Sequence, residues 1–304
     1  MATPDGASAN SSEPATEQET RTGQALSISQ ILRLHNRERL LVEPMRWTNR
    51  HLQLLGCTIA PPTPEKELHL QRVFSNKDAY HLYWAFKQGW TPVHRSTALR
   101  RLLSNLYFGY SNSHVVFEFG PREWTDYIHF PSFYSNRHQE GVLAAYVDLQ
   151  LIQNRRNDLV ERGRGCQIRK RLRQLKIKAI TPQNCLHDPV VVAVLIALAQ
   201  QNTYYQKTFS QVIATSDDRD RVFIYKSHIA PFLLRCLEDP NFTPPEPLSI
   251  SIEVETIRFK PFRSFRDRLH ANVFPSQHQS AVAKAQAERG KDLSPLTGAA
   301  SSST

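Results

Sequence analysis

Four acidic residues stand on or beside predicted strands and helix starts, where proteins often build metal sites. They are Glu118, Asp188, Glu253 and Glu255. If the fold brought them together, their oxygens could bind Mg²⁺ in a nuclease-like, metal-dependent phosphodiester hydrolase, with Lys260 beside the scissile phosphate. Structural explanations compete with this one, since Asp188 precedes a proline as a helix N-cap and the two later glutamates alternate with apolar residues along a strand. Both interpretations stay open, and no cofactor other than this Mg²⁺ is expected.

Several common chemistries require motifs that the sequence lacks. The chain has 11 glycines, and Gly163-Arg164-Gly165, its one G-x-G, lacks the further glycine of a dinucleotide-binding loop. It contains neither the G-x-S-x-G motif of serine hydrolases nor the H-E-x-x-H motif of zinc proteases. Its four cysteines form no C-x-x-C pair, which argues against a structural zinc site.

The strongest chemical signal is the positive charge between residues 155 and 178, where ten Lys and Arg face two acids. Its candidate polyanion-binding residues are Arg155, Arg156, Arg169, Lys170, Arg171, Arg173, Lys176 and Lys178. Such a cluster can contact nucleic-acid phosphates or the carboxylates of an acidic protein. The spacing of its two halves also matches a bipartite nuclear-localisation signal. Alternatively, four apolar side chains anchor the segment to the core and the cations form an ordinary solvated face; they are Leu159, Ile168, Leu172 and Leu175.

A second basic cluster lies at 258–268, where cations alternate with phenylalanines. Its candidate polyanion-binding residues are Arg258, Lys260 and Arg263. The rings of Phe259, Phe262 and Phe265 could stack on bases while the cations follow a phosphate backbone. The same three rings could equally pin a helix or turn onto the body of the protein.

Aromatic residues are concentrated between residues 80 and 134. Trp84, Trp90, Trp124 and Tyr127 could line a pocket for a small apolar ligand. Aromatic residues at helical spacing are more often core residues, so this region does not by itself indicate a ligand.

Composition predicts one domain with disordered ends. The formal net charge is +10, yet residues 1–24 are acidic and contain almost no large apolar side chain, which predicts a disordered leader. We expect a single domain over 25–270 and a disordered tail over 271–304. No signal peptide is recognisable and the longest uncharged apolar run, 190–199, is about half of a membrane span. The expected location is therefore intracellular, cytoplasmic or nuclear, without a membrane.

The elements indicate an α+β fold, with N-terminal helices followed by a small mixed or antiparallel sheet with packed helices. Helices are predicted after the capping box at Ser27, after a Thr63 cap, over parts of 80–106, over 140–160, around 168–175, from Asp188 to Gln200 and over 229–237. Strands are predicted at 114–119, 175–179, 209–215, 221–225 and 250–257, with 124–134 a loop containing at most one short strand.

The segment from Cys185 to Gln200, with the helix H-D-P-V-V-V-A-V-L-I-A-L-A-Q and a following strand pair, resembles a group of uncharacterised filamentous-fungal proteins. The resemblance covers about residues 180–260. It implies a fungal intracellular protein, and it implies no functional residue because the group has no assigned activity.

Together these patterns favour a non-enzymatic intracellular binding or scaffold protein whose basic surface takes nucleic acid or an acidic partner. The alternatives are the nuclease-like hydrolase and an accessory protein that binds a small apolar ligand.

Overall fold

The structure is a computed structural model that describes residues 25–65, 77–88, 91–103, 108–111, 115–120, 124–128, 130–135, 141–161, 167–218 and 220–292. Its α-helices are α1 (Ile28–Leu34), α2 (Asn49–Leu54), α3 (Lys77–Lys87), α4 (Pro92–Leu103), α5 (Leu149–Glu161), α6 (Gln167–Ile180), α7 (Pro189–Asn202), α8 (Pro231–Glu238), α9 (Phe262–Val273) and α10 (Pro275–Asp292). Its strands are β1 (Cys57–Ile59), β2 (Thr63–Pro64), β3 (Phe108–Ser111), β4 (Val115–Phe119), β5 (Trp124–Ile128), β6 (Ser132–Ser135), β7 (Val142–Asp148), β8 (Phe209–Thr215), β9 (Arg221–His228) and β10 (Ile250–Arg258).

Within the described residues, eight strands form one mixed sheet and β4 and β5 form a separate hairpin. The sheet runs β1-β10-β9-β8-β7-β6-β3, with β2 also paired to β10. β7 pairs parallel with β8, and β1 and β2 pair parallel with β10, while the other neighbours are antiparallel. This arrangement confirms the predicted α+β class.

Helices cover both faces of the sheet, so its central strands are buried on two sides. One face packs against α7, the β4–β5 hairpin and α8, and the other packs against α3, α4 and α9. β10 shows the resulting division, because Ile252 and Val254 face the first core while Ile257 belongs to the second. Two layers of apolar side chains therefore hold the helices to the sheet.

α7 is the central helix of the first core. Its N-cap Asp188 accepts a 2.9 Å hydrogen bond from the backbone N–H of Val190, and Pro189 occupies the first helical position, as predicted. Every residue from Pro189 to Ala199 is buried, because the sheet, the β4–β5 hairpin, α2 and α8 surround the helix. The stretch Cys185–Tyr205 has the length and composition of a membrane span, but 72% of its most apolar window is buried within the protein, as in a core helix.

A buried ion pair joins α5 to the start of α7. The Arg156 guanidinium binds the Asp188 carboxylate through two nitrogens, at 2.5 and 2.8 Å, and its Nε donates to the Met45 carbonyl at 3.1 Å. The side chain of Arg156 is only 1% exposed. Burying the two charges costs hydration free energy, and the bidentate hydrogen bonds between Arg156 and Asp188 offset most of that cost.

Local signals predicted several elements well. The capping box of Ser27 and Gln30 is present, although α1 ends at Leu34 rather than near Pro44. The structure also confirms the helix predicted from residue 80, the strands predicted over 114–119, 209–215, 221–225 and 250–257, and the helix predicted over 229–237, which correspond to α3, β4, β8, β9, β10 and α8. The predicted leader, 1–24, lies outside the described residues.

Other predictions were wrong. The predicted helix over 140–160 is strand β7 followed by α5, Thr63–Pro64 is a strand rather than a helix start, and 175–179 continues helix α6. Two strands, β5 and β6, occupy the segment predicted as a loop with one short strand. Part of the tail predicted to be disordered over 271–304 forms α10, which packs against α9 and buries His278 and Ala281, and 293–304 lie outside the described residues.

Replacing Arg156 with Met should lower the free energy of unfolding by about 3–5 kcal/mol, because Asp188 would stay buried without its counter-ion. Urea denaturation measures this loss. The same replacement at exposed Arg171 should change stability by no more than about 0.5 kcal/mol. Adding Asp188→Asn to Arg156→Met should recover part of the loss, and equal losses at Arg156 and Arg171 would contradict the role of the pair.

Gly56→Ala should cost more stability than Gly120→Ala, although both glycines have positive φ angles, of 62° and 68°. A Cβ at Gly56 would lie 2.0 Å from the Leu248 carbonyl oxygen, whereas the nearest atom at Gly120 is 4.0 Å away. The left-handed backbone alone costs about 1–2 kcal/mol, and the clash should add about 1–3 kcal/mol. Equal urea midpoints for the two variants would show that the close approach has no energetic effect.

Candidate functional site

Helix α6 carries most of the predicted basic segment and is attached to the protein along one side. It packs against α5, and near its end Thr181 donates to Gln153 Oε1 at 3.4 Å. Three side chains spaced as on one helical face, Arg173, Ile177 and Ile180, are half-buried. The other described side chains of α6 are exposed.

The exposed side of α6 combines leucines with cations. Leu172 and Leu175 are 52% and 59% exposed, and the three- and four-residue spacing places Ala179 on the same side. On the helical wheel Arg171 and Lys178 border this apolar strip on one side and Lys176 borders it on the other. We call these six residues the leucine–cation face. The expectation that Leu172 and Leu175 anchor the segment to the core is therefore wrong, whereas Leu159 of α5 is half-buried and the side chain of Ile168 lies outside the described part of the structure.

The first two arginines of the basic segment do not belong to this face. Arg156 is buried in its pair with Asp188. Arg155 is half-buried, lies 5.3 Å from the Phe130 ring centre, and lines a cleft of about 300 Å³ together with Arg100. Burial lowers the pKa of Arg155. A nuclear-import receptor could bind Arg155 and Arg156 as an exposed basic pair only if this part of the protein unfolded first.

The remaining basic residues of the segment are placed as follows. Lys170 is exposed, Arg173 is half-buried on the side towards α5, and the side chain of Arg169 lies outside the described part of the structure.

In the second basic cluster the phenylalanines belong to the core. Phe259 and Phe265 are fully buried and pack 5.0 Å apart between ring centres, and half-buried Phe262 packs on Tyr83 at 4.7 Å. These rings pin α9 to the sheet and α3, so the two buried ones are not available for stacking on bases. Arg258, Lys260 and Arg263 are exposed.

The four candidate metal-binding acids do not share a site. Asp188 binds Arg156, and Glu255 binds Lys226 at 2.7 Å. The side chains of Glu118 and Glu253 are exposed on different sheets. Among the described residues, no group of three His, Cys, Asp or Glu side chains is arranged to hold a metal ion. The geometry therefore gives no support to Mg²⁺ binding by these four residues.

A buried polar network that was not predicted from the sequence lies at the carboxyl ends of parallel strands β7 and β8. Asp148 lies 2.8 and 3.0 Å from two nitrogens of Arg95, and the Tyr146 hydroxyl lies 2.8 Å from Thr215 Oγ1. Burial raises the pKa of Asp148, against the lowering effect of Arg95. Asp148 also accepts two backbone N–H groups at the start of α5. The sequence feature that could have revealed this network is an acid, Asp148, at the end of an apolar run. The contacts of Asp148 fit a structural role, because they join α4, α5 and the sheet.

Of the four aromatic side chains named for the predicted pocket, the structure describes only that of Trp84. Trp84 is half-buried between Tyr80 and Tyr83. Trp90 and the side chains of Trp124 and Tyr127 lie outside the described part of the structure. An apolar cavity does exist elsewhere, around Trp47 and Phe117.

Comparison with known proteins does not assign a family or a function to these residues. No protein-family model matches the chain, and no significant match to a curated protein is found. The resemblance to filamentous-fungal proteins thus stays a prediction, and the site has to be interpreted from its own residues.

Replacing Leu172 and Leu175 together with Gln should change the free energy of unfolding by less than about 1 kcal/mol, since exposed positions tolerate polar side chains. Urea denaturation tests this directly. Leu195→Ala in buried α7 provides the contrast, with an expected loss of about 2–5 kcal/mol. A similarly large loss in the α6 variant would mean that its leucines are buried in solution.

Proposed function

We propose that this protein is a non-enzymatic binding protein whose leucine–cation face docks an acidic amphipathic helix of a partner protein. The observation that carries this proposal is the pair of leucines, one turn apart and more than half exposed, within a border of Lys and Arg. A helix laid along such a face would cover the leucines with its own apolar residues and place carboxylates beside the cations.

A nucleic acid is a poorer match to this face. Phosphates pair with cations but offer little to aliphatic side chains, so binding through the backbone would leave Leu172 and Leu175 in water. Phe259 and Phe265 of the second cluster are buried and cannot stack on bases, and half-buried Phe262 already packs on Tyr83. The apolar component of the α6 surface is thus better explained by a protein partner.

A membrane surface also fits less well. Helices that lie in a bilayer interface usually have a broad apolar face with large or aromatic side chains. The apolar strip of α6 is narrow, with two leucines and one alanine among its described side chains. Its size corresponds better to the contact made by one partner helix.

The test uses a fluorescently labelled peptide of roughly 18 residues with leucines on one helical face and glutamates beside them. Anisotropy measured at several salt concentrations gives its affinity for the full chain. Replacing Leu172 and Leu175 with Gln should weaken binding at least tenfold. Replacing Arg171, Lys176 and Lys178 with Gln should weaken binding and flatten its salt dependence, since ion pairs at the rim are screened by salt.

Matched controls separate this proposal from nonspecific attraction. Leu34→Gln changes a leucine of similar exposure, 53%, on α1 and should leave the affinity unchanged. A peptide of the same composition with its leucines spread around the helix should bind at least tenfold more weakly. Full retention of binding by the leucine variant, together with loss in the cation variant, would overturn the proposal in favour of a polyanion such as DNA. Binding to anionic vesicles without binding to the peptide would also overturn it.

A further inference from the structure

A cavity of about 360 Å³ lies between α1, α2, the 40–44 segment and strand β4. Its walls are almost entirely aliphatic or aromatic, with Ile31, Leu54, Phe117 and Phe119 among the lining residues. This volume is within the lower range of small-molecule pockets. It is separate from the leucine–cation face, and none of its lining residues in the described part of the chain belongs to α6.

The polar side chains of the cavity wall are already engaged. His51 Nδ1 accepts the Thr48 N–H at 3.0 Å, so Nε2 carries the proton that is donated to the Leu40 carbonyl at 3.1 Å. Trp47 Nε1 donates to the Val42 carbonyl at 3.2 Å. The wall therefore offers a ligand aromatic and aliphatic surface and few hydrogen-bonding groups from side chains.

Charge at the edge of the cavity is also neutralised within the protein. Glu43 lines the cavity and accepts a 2.5 Å hydrogen bond from Arg46 Nε. A second anion there would meet the Glu43 carboxylate, and a cation would have to compete with Arg46. An uncharged ligand has neither disadvantage.

The aromatic side chains of the wall pack on one another. Trp47 stacks on His51 with their ring centres 5.5 Å apart and contacts Phe117 edge-on at 5.2 Å. The two hydrogen bonds to the Leu40 and Val42 carbonyls attach the 40–42 segment to these rings. The space is thus held open by packed side chains, as in a preformed binding site.

We propose that this cavity binds a small, uncharged, hydrocarbon-like molecule. A dry cavity of about 150 Å³ accommodates a benzene ring, so this one has room for about twice as many carbon atoms. The acidic leader is a poor alternative occupant, because residues 1–24 contain almost no large apolar side chain. The ligand is held by apolar burial, and an uncharged polar end is best left at the open side beside Leu41, which is 48% exposed.

The test uses the uncharged fluorescent probe N-phenyl-1-naphthylamine with the full chain. Saturable binding should be displaced by 1-decanol, while decanoate and decylammonium should compete at least tenfold more weakly. Leu41→Trp places a larger side chain at the cavity mouth and should reduce probe affinity at least tenfold. Leu34→Trp enlarges another exposed leucine, which does not line the cavity, and should leave the affinity unchanged.

Three outcomes would overturn the proposal. Probe binding that does not saturate, or that is equally strong in the two tryptophan variants, would show that the cavity is not the binding site. Better competition by decanoate than by decanol would show that the ligand is an anion. A rise in probe affinity of at least tenfold on removal of residues 293–304 would identify the tail of the chain as the occupant.

Discussion

The carboxylate of Asp188 holds three segments together at one buried point. It caps the first turn of α7 and binds Arg156 of α5, which in turn binds the carbonyl of Met45. A buried charge is tolerated only where its hydrogen bonds are well made, so these segments must keep one relative arrangement. α7 is thereby fixed in the first core, and α5 is fixed beside it as the base on which α6 packs.

This arrangement explains why α6 can present apolar residues to solvent. α5 is held by Arg156 and by the Asp148–Arg95 network at its start, so the fold does not require Leu172 or Leu175 to attach α6. Arg173, Ile177 and Ile180 already occupy the side towards α5. The outward leucines therefore contribute little to the packing of the described residues, which leaves them available to a partner.

Features encoded by neighbouring residues could be predicted from the sequence, whereas those set by distant contacts could not. Ser27 with Gln30, and Asp188 with Pro189, satisfy backbone groups of their own helices and were identified correctly. β7 was predicted as a helix because Val142, Leu143 and Tyr146 have helical spacing. It is a strand because β6 and β8 pair with it and both of its faces are covered, which removes the alternation typical of exposed sheets.

The same limit applies to the two proposed binding surfaces. Periodicity shows that Leu172 and Leu175 share a side of α6, but the direction of that side depends on where α5 lies. The cavity combines residues from Ile28 to Leu248, which only the complete fold brings together. The basic charge could be predicted as a candidate surface, and packing of Phe259 onto the body was one of two open interpretations, but the burial of Arg156 and the exposure of the leucines could not be predicted.

The most direct test of the central claim is the solvent exposure of the leucine methyl groups, measured by NMR with a soluble paramagnetic agent. The account predicts strong line broadening for Leu172 and Leu175, weak broadening for Leu195 and Leu198, and protection of the first two when the acidic helical peptide is added. Leu172 and Leu175 signals as protected as those of Leu195 before any peptide is added would contradict the account. Continued full broadening at saturating peptide would show that the peptide binds elsewhere.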